Sequence, residues 1–291
     1  MQIATHIPPM NSAPEGWSLE RDAPAGFATF YRQLHATFTP RQQALAKKRR
    51  TVLDASHHGR YPDYLPASTA TTTEWRIELP KWVLDQRNQM TGPADDAELS
   101  VKLMNSGAPG VMLDLEDSMA NTWAATQIGI KNCIAALYGE LSYDDAKRGR
   151  RVGINPSSTV AWVRVRGLHL SQAGVIPEEV TSASLFDLAL LVFQLDFSKL
   201  KHPLAIYIPK SESAEEALWW RDVFQALAAA KGLARDYIKC MALVEAHPMA
   251  FEMEEFAYNL REHLVGLNLG RWDYMASLID FVSGDPNWVL P

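Results

Sequence analysis

Two cysteines in 291 residues, Cys133 and Cys240, are too few for a disulfide framework, and a reducing cytoplasm suits them best. No window approaches the roughly 18–20 consecutive apolar residues that a membrane span requires. The opening MQIATHIPPMNSAPEGW has no charged segment followed by an apolar one, so no secretory signal is expected, and the closing NWVLP is no targeting signal. Basic charge is also short: 28 Lys and Arg stand against 34 Asp and Glu, a net charge of −6. Nothing in that balance favours nucleic acid. Glycine loops of the GxGxxG and Walker A kinds are absent, and so is a GxSxG nucleophile turn. No internal repeat or low-complexity tract is present.

What remains is a globular composition, 47% hydrophobic and 21% charged. Residues 1–75 read as a helical preface. GFATFYRQLHATF carries apolar residues at helical spacing, and PRQQALAKKRR continues as a polar helix after Pro40. The basic run Lys47, Lys48, Arg49 and Arg50 is expected to form a solvated helix face. From about residue 76 the pattern changes to short β-rich runs alternating with longer helical ones, which predicts a parallel sheet with crossover helices. GVMLDLED, AWVRVRG, LAIYIPK, KCMALVE and LVGLNLG are strand candidates, with RNQMTG a weaker one. Their apolar runs suit strands buried on both faces. Residues 139–160 have no helical period and are expected to form an excursion turning near Asn155-Pro156.

Charged residues stand at the C-terminal ends of these strands: Glu116 and Asp117, Arg164 and Arg166, Lys210, Glu245, and Asp273 just past the last. In an α/β barrel those ends form the rim where catalysis occurs. Glu245 and Asp273 lie about one βα unit apart, so they are expected on neighbouring strand ends. Two carboxylates with no soft ligand nearby suit a hard cation such as Mg²⁺, although each could instead cap a helix or pair with a lysine. Arg164 and Arg166 alternate along one strand and are expected to share a face, available to an anion or to the acidic group Asp114, Glu116 and Asp117. Those acids could equally cap a helix or stand behind a metal. His169 and His247 read as satisfied structural histidines.

Several stretches together resemble malate synthases of the shorter, glyoxylate-cycle form. They are TGP (91–93), VMLDLEDSMANTW (111–123), VRVRGLHL (163–170), SLFDLAL (184–190), YIPKSES (207–213), ALVEAHPMAFEMEE (242–255) and LREHLVGLNLGRWDY (260–274). The resemblance implies a TIM-type (β/α)₈ barrel over residues 76–291, incomplete at about six strands, preceded by an N-terminal helical clasp over 1–75. It implies a Mg²⁺-dependent condensation of acetyl-CoA with glyoxylate to malate and CoA. It further implies metal ligands at Glu245 and Asp273, a catalytic arginine at Arg164, and a glyoxylate carboxylate held by the backbone N–H groups of Trp272 and Asp273. Asp114, Glu116, Asp117 and Arg166 would stand in a supporting shell, with Arg166 the partner of Asp114 and Glu116.

The family's general base lies in a C-terminal helical domain that has no counterpart in this sequence. Turnover is therefore expected to need a further part. The open barrel edge is expected to recruit a partner chain or a second copy. Two other readings stay open: a non-catalytic fragment, and a citrate-lyase-like or malyl-CoA-type lyase.

Overall fold

The computed structural model describes residues 17–176 and 179–289. The first part is helical: α1 (Leu19–Asp22), the long α2 (Phe27–His57) and α3 (Thr69–Thr72). Strands and helices then alternate: β1 (Gln89–Pro93), α4 (Ala97–Met104), β2 (Gly110–Asp114), α5 (Trp123–Leu137), a hairpin of β3 (Ser142–Asp145) and β4 (Arg150–Gly153), and β5 (Val160–Arg164). A short ribbon of β6 (Ser171–Gln172) and β7 (Thr181–Ser182) leads into α6 (Ala183–Gln194) and β8 (Ala205–Ile208). After these come α7 (Ala214–Ala230), β9 (Lys239–Val244), α8 (Met253–Leu260), β10 (Leu264–Leu269) and α9 (Arg271–Val282). Asp96, Thr122 and Ser182 cap α4, α5 and α6 by accepting backbone N–H bonds from Leu99, Ala125 and Leu185, which satisfies donors that a helix start otherwise leaves open.

The main sheet has six strands in the order β1-β2-β5-β8-β9-β10, and every pairing in it is parallel. It is the expected α/β barrel, incomplete at six strands. The weak candidate RNQMTG supplies β1, which pairs only with β2, and β10 pairs only with β9 among the described residues. The outer edge of β10 is partly blocked where Gln86 Nε2 donates to the Val265 carbonyl at 2.9 Å.

Strand alternation divides the apolar residues into two cores. Val111, Leu113, Ala161, Val163, Ile206, Ile208, Cys240 and Ala242 face the helices. Met112, Trp162, Tyr207, Met241, Leu243 and Val265 fill the inside of the curved sheet, with Trp162 edge-on to Tyr207 at 5.5 Å. The inward rows of β2, β5 and β9 run on by the same period of two to Asp114, Arg164 and Glu245. Asp114 and Arg164 arrive at one rim because β2 and β5 end on the inward phase, and Glu245 joins them one residue past the end of β9.

Helix α2 runs unbroken through Pro40 and belongs to the main core. Tyr31 meets Phe186 of α6 edge-on at 5.7 Å, and Phe38 meets Trp219 of α7 at 6.2 Å. Two expectations are corrected. The 139–160 excursion turns at residues 146–149, not near Asn155: Asp145 Oδ1 accepts from the N–H groups of Lys147 and Arg148, and Gly149 takes the left-handed φ of 61°. A short Asx-type turn outcompeted the Asn-Pro signal. The basic run on α2 is not a uniformly solvated face either. Arg49 is buried against Glu216 of α7, with Nε and Nη2 at 2.7 and 2.6 Å from its two carboxylate oxygens.

Candidate active site at the strand ends

Asp114 ends β2 fully buried and accepts five hydrogen bonds. Arg164 grips it from β5 through Nε and Nη2, both at 2.7 Å. The N–H groups of Glu116 and Ser118 donate at 2.8 Å, and the Ser118 hydroxyl donates as well. These contacts hold the Asp114 carboxyl below its ordinary range in spite of burial. The remaining guanidinium nitrogen of Arg164, Nη1, lies 3.5 Å from Glu116 and 3.4 Å from Asp117.

Arg166 goes elsewhere. Its Nε and Nη2 bind Asp187 of α6 at 2.9 and 2.6 Å, and Nη1 donates to Asn121 at 2.6 Å. The expected partnership of Arg166 with Asp114 and Glu116 is therefore corrected. β5 ends at Arg164, so strand alternation no longer governs Arg166, and a buried acid one helix away takes it. Asp114 belongs to Arg164 instead.

Glu116 is buried beside Lys210 and takes the Gly167 N–H at 3.1 Å. Burial pushes its carboxyl up to about 7, against the pull of the Lys210 and Arg164 charges. Lys210, which strand-end position brought to notice without a role, stands at the centre. Its ammonium lies 3.2 Å from Glu116, 2.5 Å from Asp117 and 3.4 Å from Asp273.

Glu245 follows the last residue of β9, with its carboxylate laid on the backbone of Gly270, where a Cβ would collide with it. The only hydrogen bond to that carboxylate among the described residues comes from the Lys210 N–H, at 2.8 Å to Oε1. Burial pushes its affinity for a proton well above that of an ordinary carboxylate. A buried acid with a bare oxygen, next to half-exposed Asp273, fits a hard cation that takes two carboxylates and leaves places for water or substrate oxygens. Among the described residues no three His, Cys, Asp or Glu side chains form a ready cage, so such an ion would lean on those further oxygens.

Trp272 and Asp273 open α9 after Gly270. Their N–H groups find no acceptor among the described residues, as at the start of any helix without a cap, and that end of a helix suits an anion. The two histidines differ. His169 lies 3.9 Å from Glu116 at the rim, and burial lowers its affinity for a proton to about 4. His247 sits among Phe251, Tyr274 and Phe281, and its Nδ1 has no partner among the described residues, so it is packed but not satisfied. A cavity of about 530 Å³ borders the rim between α2 and α9, lined among others by Arg49, Arg50, His169 and Ser277.

A parallel α/β barrel with a carboxylate pair, an ion-paired arginine and an open helix start at its strand ends defines a barrel enzyme of the rim-site class. Within that class the chain is similar to the malate synthases. Residues 160–291 match the family model for the malate synthase TIM barrel domain. The chain is 38% identical to malate synthase from Myxococcus xanthus over 90% of its own length and 49% of that protein. It is 34% identical to malate synthase A of Escherichia coli over 90% of its length and 50% of the relative. It is 32% identical to the glyoxysomal malate synthase of Zea mays over 99% and 54%. The chain thus spans about half the length of the curated relatives it matches.

Proposed function

We propose that residues 76–291 form the substrate-polarising part of a malate synthase, acting in the condensation of acetyl-CoA with glyoxylate, and that residues 17–75 belong to its helical clasp. The first 16 residues of the expected 1–75 lie outside the described residues. The observation that carries this is the meeting of Arg164, Glu245 and the start of α9 at one rim, in a chain similar to the malate synthases. Glu245 and Asp273 would hold Mg²⁺, which when bound supplies a Lewis acid to the aldehyde oxygen.

The rest falls to the chain's own groups. The free N–H groups of Trp272 and Asp273 receive the glyoxylate carboxylate. Asp114 keeps Arg164 charged and aimed, so that its remaining guanidinium N–H groups stabilise the oxyanion that develops during C–C bond formation. Glu116 and Asp117 hold Lys210, and Arg166 locks the loop after β5 onto α6. We assign the general base to a part supplied from outside the described residues. A partner chain or a second copy against the open edge of β10 is part of the same reading.

No helix among the described residues is long and apolar enough to cross a membrane, and two buried free thiols accord with a cytoplasmic setting. The test is calorimetric titration of Mg²⁺, with glyoxylate present, into the chain and into Glu245→Gln and Asp273→Asn. Each variant should bind at least about tenfold more weakly, because Mg²⁺ has few protein ligands to lose. Equal binding by both variants overturns the assignment.

A further inference from the structure

Lys210 is the only residue other than glycine with a left-handed backbone among the described residues, at φ 46°. For a lysine that conformation is strained and persists only where the surroundings over-determine it. Here they do so from both sides. The Lys210 N–H donates to Glu245, and its carbonyl accepts from Arg49 Nη2 at 2.7 Å, with Arg49 itself clamped by Glu216. The result is to aim one ammonium among Glu116, Asp117 and Asp273, while the same residue's backbone holds Glu245.

Acidic side chains outnumber basic ones at the rim. Asp114, Glu116, Asp117, Glu245 and Asp273 stand against Arg164 and Lys210, and Arg164 is taken up mainly by Asp114. We propose that Lys210 is a positioning residue, a built-in counter-cation that gathers the acidic rim when no divalent ion is bound and gives up Asp273 when one binds. The inference rests on Glu245 and Asp273 being the metal ligands. An ammonium in contact with Asp273 competes for its oxygen and repels an incoming ion, so the lysine stabilises the empty site at the expense of metal affinity. By linkage, deleting its charge must move those two properties in opposite directions, which loss of a merely structural contact would not do.

The test is Lys210→Met, which keeps the side-chain length and the backbone N–H and removes the charge. Mn²⁺ binding, followed by the spectrum of the free ion, should tighten about tenfold or more. The melting temperature without metal should fall, and the rise on saturating Mn²⁺ should exceed that of the unmodified chain. Lys210→Arg, with the charge kept, should bind Mn²⁺ within a few-fold of the unmodified chain. If Lys210→Met does not fold, the charge-balanced Lys210→Met/Asp117→Asn carries the same expectation. Mn²⁺ binding that Glu245→Gln loses but neither Lys210→Met nor its charge-balanced form tightens overturns the role of Lys210 and leaves the metal site standing. No Mn²⁺ binding by any of these chains overturns both.

Discussion

Replacing Asp114 by Asn changes one heavy atom and should be among the costliest conservative substitutions in the chain. The carboxylate is wholly buried and meets Arg164 through two bonds of 2.7 Å. Asparagine keeps the shape but removes the charge, and it presents an N–H₂ group either to the guanidinium or to the donors of Ser118. Breaking a buried pair by neutralising one member typically costs about 3–5 kcal/mol, because the other charge stays behind. Glu116 and Asp117 remain at 3.5 and 3.4 Å from Arg164, so the lower end, about 3 kcal/mol, is expected.

Asp114→Ala should cost about 2 kcal/mol more, since the N–H groups of Glu116 and Ser118 also lose their acceptor at about 1 kcal/mol each. Asp114→Leu with Arg164→Met should recover much of what Asp114→Leu loses, because it removes the buried charge together with its partner. The assay is urea unfolding followed by tryptophan fluorescence and by far-UV circular dichroism, with coincident transitions as the check on two-state behaviour. Glu98→Gln, which breaks an exposed pair with Lys102, serves as the control and should leave the midpoint unchanged. A loss below about 1 kcal/mol for Asp114→Asn, or no recovery in the double variant, would refute the pairing as the support of the rim.

Glu116 should make the metal-free chain less stable as pH rises. Its carboxyl is pushed up from 4.5 to about 7 by burial, so between those values the folded chain holds a proton that the unfolded chain releases. The destabilisation accumulates across that window to about 3 kcal/mol. Thermal melts from pH 5 to 8 should show it, and Glu116→Gln should flatten the slope; an unchanged slope counts against this origin. The open edge should also show itself in solution. Leu269, Trp272 and Ile279 are 66%, 79% and 63% exposed along β10 and α9, an apolar strip of the kind that marks an interface. Light scattering should find self-association that Leu269→Lys with Ile279→Lys reverses, and a compact monomer before substitution would contradict it.

Much of the architecture was legible without coordinates, because hydrophobic period and strand-end chemistry are local properties. GVMLDLED and KCMALVE state both the buried strand and the acid at its end. The alternation that puts Met112 and Trp162 inside the sheet also puts Asp114 and Arg164 there. The partners of the charged side chains were not legible. Arg166 looked like the twin of Arg164 because it stands two positions further on, but alternation holds only while the strand lasts, and β5 stops at Arg164, two residues short of it. Arg49 looked like a solvated charge because its neighbours are Lys47, Lys48 and Arg50, and its true partner Glu216 lies 167 residues away.

The sequence by itself therefore determined the class of fold, the strands, and which residue types reach the rim, since the period of two and the position of strand ends are written in consecutive residues. Only the tertiary structure decided which charge meets which: Asp114 with Arg164, Arg166 with Asp187, and Lys210 among Glu116, Asp117 and Asp273. The physical reason is that burying a charge requires a partner within about 3 Å, and that partner is chosen by where strands stop and helices pack, not by nearness along the chain.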